Sequence, residues 1–385
     1  MKSKNFVLAT VSCLIGLVAA LLVAEGMLRV AGVQSRLVYT PNAYYGWGEP
    51  PGYKFVWSTE SQDQQITINS LGLRDFEYPY RKPDDTFRIL VLGDSFAEAL
   101  QVPLDHSFSK VLEHELNDGK HGTRKVEVIN AGVSGYGTDN ELLFFTHEGY
   151  KYQPDLVLIA FYLGNDVRNN WYPLEERDAG GQRKPYYDMG PEGLVLKHFP
   201  FVEHESWTTR VKVFLNRHSR LYTFSRELRD RLAHGNVAVA SNAAPSIPFD
   251  FEVFLQEPPP DWDKAWQVTA GVLEKLKTEA ASHDAKVLVV AIPTAFQVQP
   301  QILEQRFAAA PALRTASLAI TGPNERLAAI CEAAQIPLLD LLTYLQGEAS
   351  QSDASLYLTT DHHWNAAGHR AAGLRMTQEI SRYVE

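Results

Sequence analysis

Short apolar runs alternate along this chain with stretches in which apolar residues recur every three to four positions. The runs Phe87–Leu92, Val126–Ala131, Leu156–Phe161, Lys286–Ile292 and Ile336–Leu339 lack in-and-out alternation, the pattern of strands buried on both faces. Helical spacing predicts helices around Phe108–Leu116, Asp139–Glu148, Trp266–Ser282, Asn324–Ala334 and Ala366–Tyr383. Strands and helices in this alternation predict an α/β fold built on a doubly wound parallel sheet of about five strands.

Three segments depart from that rhythm. Phe6–Ala24 is a run of 19 residues without a charge, preceded by Lys2 and Lys4 and followed by Glu25 and Arg29. At about 1.5 Å per residue it reaches roughly 28 Å, the thickness of a bilayer's hydrocarbon core. The run is longer than a cleaved signal peptide needs and flows into Glu25-Gly26-Met27-Leu28-Arg29, so residues 1–30 are expected to form an uncleaved signal-anchor helix. The early lysines then leave everything after about residue 30 outside the cytoplasm. Residues 31–85 form a Tyr- and Pro-rich lead-in whose alternating stretch, Gln64–Asn69, predicts a small β element. Residues 86–385 carry the main domain, with flavodoxin-like winding. Between Val167 and Pro260 the alternation stops. This stretch holds Gly180-Gly181, a basic helical run Thr209–Arg231, a soft Val237–Pro248 run and Pro258-Pro259-Pro260. It reads as an inserted cap at about 168–260, since so long a structureless loop is improbable in a compact domain.

Composition narrows the function. The 46 acidic and 36 basic residues leave a net charge of −10, which disfavours nucleic acid as a partner, because affinity for a phosphate backbone comes from clustered Lys and Arg. Cys13 and Cys331 form no CxxC pair and predict neither a disulfide scaffold nor a redox site. Gly135-Tyr136-Gly137 continues to Asn140, which spoils a dinucleotide fingerprint, and no Walker A sequence is present. Gly132-Val133-Ser134-Gly135-Tyr136 is not a Gly-x-Ser-x-Gly elbow. Asp361, His362, His363 and His369 lack the His-x₃-His pair of a zinc helix. No cofactor and no metal are therefore expected.

Ligands of an open parallel sheet bind beyond the carboxyl ends of its strands. Four chemistry-bearing stretches stand at such places or just before the last helix: Gly93-Asp94-Ser95-Phe96, Asn130–Gly137, Leu163-Gly164-Asn165-Asp166, and Thr360-Asp361-His362-His363-Trp364-Asn365. Together they supply what acyl transfer at a carbonyl needs. Ser95 is the candidate nucleophile, His363 the base and Asp361 the group that orients the imidazole. The Ser95 and Gly135 N–H groups and the Asn165 side chain are the candidate oxyanion donors. Asp94 and Asp166 read as turn-forming carboxylates, Asn130 as a loop brace, and His362 and His369 as surface or capping residues.

These stretches resemble the blocks of the SGNH/GDSL hydrolase superfamily over roughly residues 85–170 and 285–385. The resemblance implies a Ser-His-Asp hydrolase without a metal. Most of that superfamily places three steps between Asp and His, whereas here there are two. The tighter Asp-x-His-Trp segment is similar to that of the alginate O-acetylation proteins. The expected function is a membrane-anchored, extracytoplasmic serine esterase that removes acyl, foremost acetyl, groups from carbohydrate or envelope glycan. Aromatic flanks at Tyr44-Tyr45-Gly46-Trp47-Gly48 and Trp171-Tyr172 suit sugar rings. An O-acetyltransferase acting on an exported polysaccharide is the alternative, and a non-catalytic glycan-binding scaffold the third reading. Expected partners are an acylated carbohydrate or small ester and, through the N-terminal helix, the membrane.

Overall fold

The computed structural model describes residues 2–33, 37–60, 62–119, 124–179, 184–201, 207–234, 247–351 and 355–384. The Gly180-Gly181 pair and nearly all of the Val237–Pro248 run lie outside them. The chain divides into two compact units, residues 1–38, 54–57 and 204–242 in one and 39–53, 58–203 and 243–385 in the other.

The larger unit is built on five parallel strands, β1 (Thr86–Gly93), β2 (Lys125–Asn130), β3 (Leu156–Tyr162), β4 (Lys286–Ile292) and β5 (Leu338–Asp340), in the order β5-β4-β3-β1-β2. This is the flavodoxin-like order, which reverses between β1 and β3. Register aligns Gly93 of β1 with Ala160 of β3 and Val91 with Asn130 of β2, so three of the four predicted stretches begin at one edge of the sheet. The apolar runs are explained by their surroundings. Leu90 and Leu92 point to one face and Ile89 and Val91 to the other, and all four are fully buried. Helices α2 (Thr138–His147), α3 (Asp261–Ala281) and α4 (Gly322–Ala333) cover the first face; α1 (Phe108–Leu116) and α5 (Ala366–Val384) cover the second. With water excluded from both faces, no alternate position needs to be polar.

The lead-in contributes a short strand, Asp63–Thr67, in which Gln64 and Ile66 are buried and their neighbours exposed, as alternation predicts. After β3 the chain forms a helix, Tyr172–Ala179, and an antiparallel hairpin, Tyr186–Gly190 with Gly193–Lys197. Lys184 fixes this stretch from within: its buried ammonium lies 3.0 Å from Asp139, 2.7 Å from the Asn140 amide oxygen and 3.3 Å from Glu175. A buried cation is tolerable only with such partners.

The smaller unit holds a helix over Lys2–Val30. Its segment Ala9–Val30 is long and apolar enough to cross a membrane, and none of its described side chains is fully buried. The basic run predicted as one helix is two, Trp207–His218 and Arg220–His234, broken at Ser219.

Candidate active site

Ser95 opens the short helix Ser95–Glu98 directly after β1. Asp94 caps that helix: its Oδ1 accepts the Phe96 N–H at 2.8 Å, and the carboxylate is fully buried. Burial pushes the Asp94 carboxyl upward, against the pull of the Phe96 N–H and the charge of His363. Asp94 Oδ2 also accepts an N–H of Asn165 at 3.0 Å and stands 3.4 Å from Ser95 Oγ. One carboxylate thus holds both the predicted nucleophile and a predicted oxyanion donor. An amide nitrogen has two N–H bonds, so Asn165 keeps one for a substrate. Asp166 is a turn carboxylate as expected, accepting the Tyr162 N–H at 2.9 Å.

The segment after β2 crosses close over this helix. A Cβ at Gly132 would stand 2.4 Å from that of Ala97, so only glycine permits the approach. Asn130 is the brace: its side chain donates to Ala97 O at 2.7 Å and accepts from Gly132 N at 3.0 Å. Gly135 has φ +81°, the left-handed region that other residues enter only with strain. Neither its N–H nor that of Ser95 donates to an acceptor among the described residues, as oxyanion donors require.

His363 is supplied by the turn between Tyr357 and α5. Its Nε2 lies 2.7 Å from Ser95 Oγ, joining residues 268 positions apart. Asp361 Oδ1 accepts the backbone N–H of His363 at 3.0 Å, and His362 between them takes φ +59°. This Asx turn is how two steps suffice to bring carboxylate and imidazole together. Asp361 Oδ2 stands 3.5 Å from His363 Nδ1, close enough for an ion pair but too long for a strong hydrogen bond. Burial alone would raise the Asp361 carboxyl; hydrogen bonds from His363 outweigh it and hold it below the usual range. Phe96 packs on the imidazole with ring centroids 4.8 Å apart, and buried Trp364 packs edge-on against Phe96 at 5.1 Å. His369, expected at the surface or as a cap, is instead buried beneath Trp364, and its Nδ1 accepts the Phe108 N–H at 3.3 Å. It faces inward because the α5 periodicity that buries Ala372 and Met376 also buries position 369.

Sequence reasoning missed the residues that hold these parts together. The Glu98 carboxylate accepts the Ser134 N–H at 2.7 Å, the Ser134 hydroxyl, and Tyr39 OH at 2.9 Å. It therefore ties the helix of Ser95 to the loop of Gly135. Arg74, buried, donates to the carbonyls of Glu98, Ala99 and Val102 at 2.5 Å. Trp47 Nε1 donates to Ser134 O at 3.2 Å, and Tyr136 OH donates to Trp47 O. Glu60 accepts the N–H groups of Thr359 at 2.6 Å and Thr360 at 2.8 Å, just before Asp361. Only a string of polar and aromatic residues in the lead-in hinted at this. The two tryptophans of the aromatic flanks expected to face sugar rings serve the interior instead, Trp47 6% and Trp171 7% exposed, while Tyr44 is 48% exposed. Among the described residues no three His, Cys, Asp or Glu side chains gather where they could share a metal ion.

An arylesterase of Vibrio mimicus is 36% identical over 81 residues, 21% of this chain; the match spans 39% of that curated relative's length. Among solved structures, the acetyl xylan esterase AlAXEase aligns with 76% of this chain and 100% of its own at 15% identity and a TM-score of 0.39. A lipase/acylhydrolase from Enterococcus faecalis aligns with 77% of this chain and 96% of its own at 13% identity and a TM-score of 0.38. The model of the GDSL-like Lipase/Acylhydrolase family matches residues 91–371, a span that takes in Ser95, Gly135, Asn165, Asp361 and His363. That span is most of the chain, and the protein belongs to the GDSL-like lipase/acylhydrolase family.

Proposed function

We infer that this protein is a serine esterase of SGNH type, anchored in a membrane by its N-terminal helix, that removes acyl groups, foremost acetyl, from carbohydrate or envelope glycan outside the cytoplasm. The observation that carries the enzyme is the 2.7 Å approach of His363 Nε2 to Ser95 Oγ. As Oγ adds to the ester carbonyl carbon, its proton passes to Nε2, and the carbonyl electron pair becomes an oxyanion. The N–H groups of Ser95 and Gly135 and the free N–H of Asn165 receive that oxyanion, each worth about 3 kcal/mol of barrier. The imidazolium, steadied by Asp361, returns its proton to the departing alkoxide, and an acyl-Ser95 ester remains. Water then repeats the sequence, giving up its proton to His363 and releasing the carboxylic acid. The glycan half is supported by the apolar N-terminal helix, which on the positive-inside rule leaves the catalytic domain among envelope polymers.

Fluorophosphonate labelling of the full chain in detergent tests the enzyme without knowledge of the substrate. Wild type labels, while Ser95→Ala and His363→Ala do not; equal labelling of all three removes the triad. The two-step Asp361-to-His363 spacing favours one further reading, transfer of the acyl group to a polysaccharide hydroxyl. An added oligosaccharide would then divert acetate released from p-nitrophenyl acetate, whereas a hydrolase delivers all of it to water. A glycan-binding scaffold is the third reading, and it requires that Ser95→Ala leave the biological output unchanged.

A further inference from the structure

The two helices of residues 207–234 differ in charge from the rest of the protein. Seven Lys and Arg against Glu227 and Asp230 leave this stretch at +5, within a chain of net charge −10. Its apolar residues are also displayed. Trp207, Val211 and Phe214, spaced to share a helix face, are 75%, 44% and 60% exposed; Phe224 and Leu228, one turn apart, are 41% and 48% exposed. Helices that present a row of large apolar side chains beside basic ones are built for a surface that is both greasy and anionic.

The N-terminal helix of the same unit identifies that surface. Glu25 accepts Ser219 Oγ at 3.0 Å and the N–H groups of Arg220 and Leu221 at 2.9 Å each, which caps the second helix. Arg29 donates to His218 O at 2.6 Å and closes the first helix. Just before these polar contacts, Val18, Leu21 and Leu22 share an apolar recess of about 580 Å³ with Phe214, Leu215 and Tyr222. At about 1.5 Å per residue, Val18 lies roughly 10 Å along the helix axis from Glu25. Amphipathic helices lie about 5–10 Å into the headgroup and acyl boundary. With Glu25 at the membrane surface, Phe214 and Tyr222 stand at that depth.

We propose that residues 207–234 form a second membrane contact, a basic amphipathic hairpin lying on an anionic phospholipid bilayer where the N-terminal helix emerges, with Trp207, Phe214, Phe224 and Leu228 in the acyl boundary. The inference rests on the reading of Phe6–Ala24 as a membrane span. Its consequence is that this unit meets the bilayer through two elements, the N-terminal helix and the basic hairpin, and not through one.

The test uses the full chain reconstituted into phosphatidylcholine vesicles with or without phosphatidylglycerol. Native Cys13, exposed in the apolar helix, carries an environment-sensitive fluorophore as the reporter of the span, while Cys331 is buried and stays unlabelled. In a Cys13→Ala background, Phe224→Cys or Leu228→Cys reports the hairpin. Deep acyl-chain quenchers should silence the Cys13 label. Headgroup-level quenchers should remove more than about half of the fluorescence at 224 and 228 in anionic vesicles, and less in neutral ones or with Lys212→Glu. A quenched Cys13 label beside unquenched 224 and 228 labels overturns the hairpin contact and leaves the anchor standing. Energy transfer between labels at 224 in different molecules, in place of lipid quenching, assigns the face to a second copy and equally overturns it. An unquenched Cys13 label overturns the anchor itself, and with it the inference.

Discussion

Ser95 and His363 share one hydrogen bond, but the structures on its two sides hold together by different means. On the Ser95 side, the helix that Ser95 opens and the Gly135 loop are joined by buried polar groups: Glu98 to Ser134, Arg74 to three carbonyls, Asn130 to Ala97 and Gly132. Glu49, also buried there, has its carboxyl pushed well above the usual range by burial and by the charge of Glu98. Such a network is stiff, because every displaced group leaves a buried partner unsatisfied. On the His363 side the backbone turns at the surface. Asp361 is exposed, His362 is left-handed, and Glu60 grips the turn from solvent. Beneath it lies an aromatic stack of Phe96, Trp364 and His369. The proposed nucleophile and oxyanion donors thus stand on a buried polar network, while the proposed base rides on a corner at the surface.

The first way to break this contrast is at Asp361. Asp361→Asn keeps an oxygen for the His363 N–H, so the turn survives, but it removes the charge that steadies the imidazolium. Ester turnover should fall by about 10³-fold with the melting temperature unchanged, less than the 10⁴-fold of a tightly bonded triad. Steady-state kinetics beside a thermal melt decides it; a lowered melting temperature would mean that the charge itself builds the turn. Glu98→Ala acts on the stiff side and should cost both activity and stability. Ser134 and Tyr39 lose their shared acceptor and the buried Arg74 charge loses a nearby carboxylate, an effect of about 2–4 kcal/mol on unfolding. The Gly135 N–H drifts from the oxyanion, a loss of about 10² in kcat with KM little changed. Glu98→Gln, which retains an acceptor for Ser134, should recover part of both. Glu60→Ala, on the exposed side, should slow turnover about tenfold at most, since the turn keeps its Asp361 bond. A larger loss from Glu60→Ala than from Glu98→Ala would reverse the assignment of stiff and loose sides.

The contrast also accounts for what the sequence reveals. Continuous apolar strands and helical periodicity are local signals, and they predicted all five strands of the sheet and the helices that cover it. The positions of Ser95, Gly135 and Asn165 were readable because strand ends of a parallel sheet converge, and that of His363 because it stands just before the last helix, 2.7 Å from Ser95 Oγ. Glu98, Arg74 and Glu60 were not readable. Each is an ordinary charged residue whose burial or partner is set by contacts with residues 24 to 300 positions away, and no periodicity carries that information. The lead-in read only as a small β element for the same reason. Its Tyr39, Trp47 and Glu60 matter only once the loops they touch have been placed. Trp47 and Trp171 misled in the opposite direction, because aromatic residues serve cores as readily as sugar faces.

The smallest effect concerns the aromatic stack under His363. His369 is fully buried, and burial, aided by the charges of Arg74 and His363, lowers its pKa from 6.5 to about 3. The folded protein therefore keeps the ring neutral where the unfolded chain would bind a proton. The sign follows from linkage: between about pH 6.5 and pH 3 the unfolded state holds more protons, so stability falls as the pH falls, by about 1.4 kcal/mol per unit. His369→Gln removes the titration but leaves an oxygen able to accept the Phe108 N–H. At about pH 7.5 this variant should be less stable than wild type by about 1–2 kcal/mol, through the lost ring contacts with Phe108 and Trp364. By about pH 5 the wild type has lost about 2 kcal/mol through this residue and the variant none, so the gap should close or invert. Urea unfolding of both proteins at the two pH values measures it. Because Asp75 and Glu175, buried carboxyls pushed up to about 6 and about 7, titrate alike in both proteins, only the difference between them reports His369. A gap that stays constant would mean that His369 is protonated within the fold, and the stack carrying His363 would then rest on a charge instead of a neutral ring.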